Sequence, residues 1–107
     1  MDAFTIRDLR ERTGDLVRDA EAGQLAVVTK RGRPLFVAVP FDDTLIREGV
    51  DVAMAAKLYT EGLLSLTRAA RLAKLSAEAF IEKLGAMGID VVDYPSEELD
   101  QEIAQIG

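Results

Sequence analysis

Apolar residues change rhythm along this chain, and the changes predict its elements. From Ile6 through Leu9, Thr13, Leu16, Val17 and Ala20 they recur at helical spacing, so one helix with a single buried stripe is expected. Thr5-Ile6-Arg7-Asp8 has the Ser/Thr-x-x-acid form of a capping box and marks the start near Ile6. Gly23 stands where the residue after the last turn belongs. Gly14, inside that helix, costs roughly 1 kcal/mol against Ala, which predicts a close approach by another backbone. Then the rhythm switches. Leu25-Ala26-Val27-Val28-Thr29 and Leu35-Phe36-Val37-Ala38-Val39 read as two short strands, the second stopped by Pro40. Between them Lys30-Arg31-Gly32-Arg33-Pro34 is a turn, with glycine for any positive φ and proline ending the loop. Ala3-Phe4 suits a short edge strand ahead of the helix.

Helical spacing returns in the second half. Phe41 to Gly49, with Asp42-Asp43, reads as a polar connection, and Val52 to Tyr59 as a helix ended by Gly62. Ser65 caps a helix through Leu72, and Ser76 caps another with Phe80, Ile81, Leu84 and Met87 on its stripe and Gly88 at its end. Ile89 to Tyr94 predicts a short strand, and Pro95-Ser96 opens a last helix with Leu99, Ile103 and Ile106 on one side. The expected class is α+β: residues 1–41 a helix-and-hairpin module, 42–49 a linker, 50–107 a small helical segment.

Composition narrows the chemistry. The chain has no histidine and no cysteine, which removes the usual zinc ligands, nucleophile–base pairs and neutral-pH bases. Binding is therefore expected, not catalysis, with no metal and no cofactor; Asp42-Asp43 and Asp90 with Asp93 are lone carboxylate pairs of the kind that usually face solvent. No apolar run approaches the roughly 18 residues of a membrane span, and a cytoplasmic location is the expectation. Forty residues bury too little surface to stand alone and no disulfide is available, so the front module is expected to dimerise. The net charge of −6 is unevenly spread. Residues 1–40 hold seven Arg/Lys and six Asp/Glu, whereas residues from Asp90 onward hold six acids and no base. Two jobs with different partners fit that asymmetry.

Two stretches resemble known families. Ile6-Arg7-Asp8-Leu9-Arg10, the spaced Leu16, Ala22-Gly23 and Val27-Val28-Thr29-Lys30-Arg31-Gly32-Arg33-Pro34 together resemble the Phd/YefM antitoxin module, over about residues 3–40. That resemblance implies an α+β homodimer that binds operator DNA and represses its own operon. Its basic positions fall on Arg7, Arg10, Lys30, Arg31 and Arg33. The second stretch, with Leu58-Tyr59, Glu61-Gly62, Ser65-Leu66, Ala69-Ala70, Leu72-Ala73, Leu75-Ser76, Phe80, Leu84 and Gly88-Ile89, is similar to uncharacterised protein family 0175 over about residues 50–107. A suspected antitoxin role beside toxin-like nucleases comes with that likeness. A folded segment where a Phd/YefM protein has a mostly disordered toxin-binding tail is a departure from that family.

Each candidate site has a plainer counterpart. The five cations suit DNA phosphates, but the same helix offers the pairs Arg12–Asp8 and Arg18–Asp15, as a solvated face would. Residues 65–87 are like a helix-turn-helix, yet the second helix opens with Ser76, Ala77 and Glu78, while Arg68, Arg71 and Lys74 lie on the helix before it. This leaves groove reading and structural or partner-binding use both open. Leu99, Ile103 and Ile106, flanked by Glu98 and Glu102, suit the groove of a basic toxin, or simply the chain's own core. The function expected is that of an antitoxin and autorepressor: operator DNA bound as a homodimer or higher even oligomer, and a cognate toxin, such as a nuclease, held by residues 50–107. The alternative is a stand-alone transcriptional regulator with no toxin. A carboxylate-based enzyme is the third and weakest option.

Overall fold

A computed structural model describes residues 1–91 of the chain. The class is α+β, a three-stranded mixed sheet with six helices among the described residues. The chain divides into two compact units, Met1–Val50 and Asp51 onward.

The first unit runs β1 (Asp2–Thr5), α1 (Asp8–Glu11), α2 (Thr13–Glu21), β2 (Ala26–Lys30), β3 (Arg33–Ala38) and α3 (Asp43–Glu48). Its sheet has the order β1-β2-β3. β1 pairs parallel with β2, Phe4 opposite Val28, and β2 pairs antiparallel with β3, Val28 opposite Phe36. A parallel neighbour demands a crossover, and α1 and α2 supply it. The core beneath them is small: Phe4, Leu25, Ala26 and Val28 are buried.

The Thr5–Asp8 capping box forms reciprocally. The Asp8 amide donates to Thr5 Oγ1 and the Thr5 amide to Asp8 Oδ2, each at 3.0 Å. The expected single helix, however, is two. Arg12 leaves helical geometry (φ −119°, ψ 33°), and the Thr13 hydroxyl donates back to the Leu9 carbonyl, a local bond that competes with the helical ladder. Neither helix buries a residue fully, and Ile6 and Val17 of the expected stripe stand exposed. A Cβ on Gly14 would meet open space within the chain, not the close backbone expected there.

The hairpin turns on two residues. Lys30 pairs with Arg33, and both Arg31 (φ 53°) and Gly32 (φ 77°) have positive φ, as in a type I′ turn. Pro34 therefore lies inside β3 and not at the end of a loop; a register shift between Val28 and Thr29 and the outer position of β3 accommodate it. The expected 42–49 linker is replaced by α3, which Asp42 caps by accepting the Leu45 amide at 3.0 Å.

In the second unit α4 (Val50–Thr60), α5 (Leu66–Leu72) and α6 (Ala77–Ala86) pack through small residues. Ala55, Ala56, Ala69, Ala70 and Ala73 are buried around Phe80 and Leu84, and Tyr59 meets Phe80 edge-on at 6.4 Å. Ser65 and Ser76 cap α5 and α6 by accepting the amides of Arg68 and Ala79. Residues 89–91 are not in a strand; the rest of that expected strand and the last helix lie outside the described residues.

Energetics follow from burial. Ser76→Ala should cost about 1 kcal/mol through the lost cap. Phe80→Ala should cost about 3–5 kcal/mol by opening a cavity among alanines that cannot close it. Urea unfolding followed at Tyr59 reads both; equal costs would contradict the packing described.

Candidate functional site

Parallel pairing of β1 with β2 brings their C-terminal ends to one side of the sheet. The chain leaves β1 through Ile6, whose amide donates to the Thr29 carbonyl at 3.1 Å, and runs directly into Arg7 and Arg10. It leaves β2 at Lys30 and passes through Arg31 and Gly32 to Arg33. All five expected cations, Arg7, Arg10, Lys30, Arg31 and Arg33, are thus exposed at one end of the unit. Ile6, Arg7, Arg10 and Glu11 line an open depression of about 400 Å³ beside them.

The neighbouring cations are occupied otherwise. Arg12 Nε donates to Asp15 Oδ2 at 3.1 Å, and its Nη1 lies 3.6 Å from Asp8 Oδ2. Its guanidinium carbon stands 4.7 Å from the centre of the Phe4 ring. The Asp15 bond and the nearby carboxylates raise the Arg12 pKa. Arg18 pairs with Asp15 at 3.6 Å. Arg12 and Arg18 are tied into the helix layer, as the plainer reading of that face expects, and five cations stay at the end of the sheet.

Two carboxyls depart from ordinary behaviour. The Thr5 amide donates to Asp8 and holds its pKa below 3.8. Asp19 moves the other way, because the neighbouring Asp2 carboxyl and partial desolvation favour its protonated form, with Asp15 adding like charge. Asp19 Oδ2 is shielded from water and has no hydrogen-bond partner among the described residues. No group of three or more His, Cys, Asp or Glu that could hold a metal is found among the described residues.

Apolar side chains also stand exposed on the first unit, and the groove among them lies toward the other end of the sheet from the cations, where Ala26 pairs with Ala38. Leu35, Phe36 and Val37 of the outer strand β3 are about half exposed, and Phe41 is 85% exposed. Leu16, Val17, Ala20, Val39 and Phe41 line a groove of about 260 Å³. Among the described residues every large exposed hydrophobic except Leu63 belongs to the first unit. Sequence reasoning missed this, since a strand apolar on successive positions reads as buried on both faces. It also missed the left-handed backbone at Arg31 and Lys74 (φ 60°). The signal was present at Arg31, where a two-residue loop favours Asn or Asp before glycine. The partner-binding candidates Leu99, Ile103, Ile106, Glu98 and Glu102 lie outside the described residues, as does Asp93.

The sequence pattern of the uncharacterised protein family UPF0175 matches residues 36–107. The chain belongs to UPF0175. The match opens inside β3, well ahead of the expected start near residue 50, so the UPF0175 segment includes the second half of the outer strand, α3 and the whole second unit. The residues before Phe36, with all five cations, fall outside it. No curated protein and no solved structure matches the chain. Among the described residues no helix is long and apolar enough to cross a membrane.

The two carboxyls give opposite pH dependences. Asp19, raised when folded, contributes stability below its unfolded pKa that is lost as pH rises through the folded value. Asp8, lowered when folded, contributes stability above about 3.8 that is lost as pH falls through its folded value. Asp19→Asn should therefore raise the thermal midpoint at pH 7, with the gain shrinking toward acid. Asp8→Ala, which removes the carboxylate that accepts the Thr5 amide, should lower the midpoint at pH 7, with the deficit shrinking as pH falls below 3.8. Thermal melts between pH 3 and 8 check both, and pH-independent differences would overturn the assignment.

Proposed function

We propose that the protein is a non-catalytic antitoxin that represses its own operon. The first unit binds operator DNA as a dimer, and the UPF0175 segment holds a cognate toxin. The observation that carries this reading is the convergence of Arg7, Arg10, Lys30, Arg31 and Arg33 at one end of the β1–β2 pair. Cations clustered on one edge neutralise phosphates and release counterions. The strand, helix and hairpin order supports the Phd/YefM likeness, which carries the same five positions.

Dimerisation is supported by the first unit's balance of surfaces. Five buried apolar side chains, Pro40 included, are a thin core for fifty residues, while β3 presents Leu35, Phe36 and Val37 on an outer edge with unused backbone groups. A second copy pairing on that edge would cover the apolar side chains and double the cationic end, as a palindromic site requires. The toxin-binding role rests on UPF0175 membership and on the acidic residues from Asp90 onward.

Arg31→Gly separates fold from function. The change relieves a left-handed arginine, worth about 1 kcal/mol, and removes a phosphate contact. The variant should melt at or above the wild-type temperature yet bind the duplex upstream of its own gene about tenfold more weakly. Unchanged, salt-insensitive binding would defeat the DNA assignment. For the toxin assignment, the protein should co-purify with the product of an adjoining small open reading frame and suppress its toxicity. Operator binding without any such complex would leave a stand-alone regulator.

A further inference from the structure

We propose that the outer face of α5 and the turn after it, Arg68, Arg71 and Lys74, form a second contact for the phosphodiester backbone of nucleic acid, one that is indifferent to sequence. This rests on the DNA-binding reading of the first unit and extends it to a surface in the second.

The backbone singles out Lys74. Positive φ occurs at Gly23, Gly32, Gly49, Gly62 and Gly88, and, among the described non-glycine residues, only at Arg31 and Lys74. Both exceptions are cations. Lys74 follows the α5 C-cap Ala73, where glycine is the residue that fits without strain. A strained side chain persists when something else selects it. Its ion pair with Asp51, at 3.3 Å, does not supply the reason, because the lysine side chain is 81% exposed and such pairs contribute little.

Arg68 and Arg71 extend the same surface. Both are exposed, while Thr67, Ala69, Ala70 and Ala73 are buried on the other side of the helix. From Ser65 to Leu75 the chain carries these three cations and no carboxylate. Their three-residue spacing spreads them over about 9 Å, the length of duplex axis along which one strand presents about three phosphates. An evenly spaced polyanion suits that stripe better than a protein surface, whose carboxylates have no fixed repeat. Insertion of α6 into a groove is disfavoured, since its exposed Glu78 and Glu82 would face base edges and phosphates. Hence the contact is to the backbone and not to bases.

The test uses the full-length protein, a random-sequence duplex and the duplex upstream of its own gene, titrated at several salt concentrations. Lys74→Gly should melt at or above the wild-type temperature while binding both duplexes a few-fold more weakly. The triple variant Arg68→Ala, Arg71→Ala, Lys74→Gly should lower the slope of log affinity against log salt by about 2–3 on both duplexes. Its preference for the upstream duplex should be unchanged. An unaltered slope, with Arg31→Gly still weakening binding, would overturn this proposal and leave the first-unit reading standing. Binding that survives Arg10→Ala and Arg31→Gly but falls in the triple variant would overturn the first-unit reading and uphold this one. If the triple variant loses only capture of the adjoining gene's product, the stripe is a protein contact and the proposal fails. A wild-type chain that binds neither duplex defeats both.

Discussion

Parallel pairing of β1 with β2 is the constraint on which the first unit depends. Without it Phe4 has no partner strand, and the small core over Leu25 and Val28 loses its largest member. The same pairing sets the direction in which the chain leaves both strands. Arg7 and Arg10 therefore emerge at the hairpin end by topology, with no contact needed between the two basic segments. Arg12 secures the arrangement from the helix side, lying against Phe4 while its guanidinium holds Asp8 and Asp15. An arginine that spans a ring and two carboxylates fixes where the crossover helices sit. It also keeps nearby acids partly neutralised, so the cationic end is less offset by them.

The parts legible in the sequence were those governed by short-range chemistry. Caps at Thr5, Ser65 and Ser76 formed as their spacing implied, because an amide and a hydroxyl three residues apart need only local geometry. The stripe of α6 was legible for the same reason, since Phe80 and Leu84 at contact spacing leave few other packings. The break at Arg12 was not, because it results from side-chain bonds of Arg12 and Thr13 that compete with a continuous ladder. α3 was hidden behind its own cap: Asp42-Asp43 looked like polar linker, and only Leu45 three residues on distinguished a helix start. The expected stripe of the first helix failed differently. Ile6 and Val17 have helical spacing, but spacing reports that a face is apolar, not that this chain covers it. Of the candidate site, the five cations were legible by residue type, and their convergence became visible only with the strand pairing.

The two left-handed cations show how stability and binding oppose each other here. At five turns the chain uses glycine and avoids steric cost. At Arg31 and Lys74 it accepts that cost and places a long charged side chain at the outermost point of a turn. A proline or asparagine would be the stabilising choice in many loops, but neither carries charge outward. Selection for fold alone does not account for both exceptions being basic in a chain whose net charge is −6.

On the proposed dimer, folding and DNA binding become one equilibrium. A unit with few buried side chains and an apolar outer strand gains much of its stability from whatever covers β3. Dissociation would then loosen the sheet that aligns the cationic end, so the two arginine clusters would lose their common orientation at the moment the second copy left. Mass action would then make operator occupancy fall faster than protein concentration does, since each site would need two chains and each chain the other to be fully folded. The second unit has a core of its own, alanines around Phe80 and Leu84. On the proposed reading, a fold that does not draw on the β3 edge would let a toxin stay bound after the operator is released.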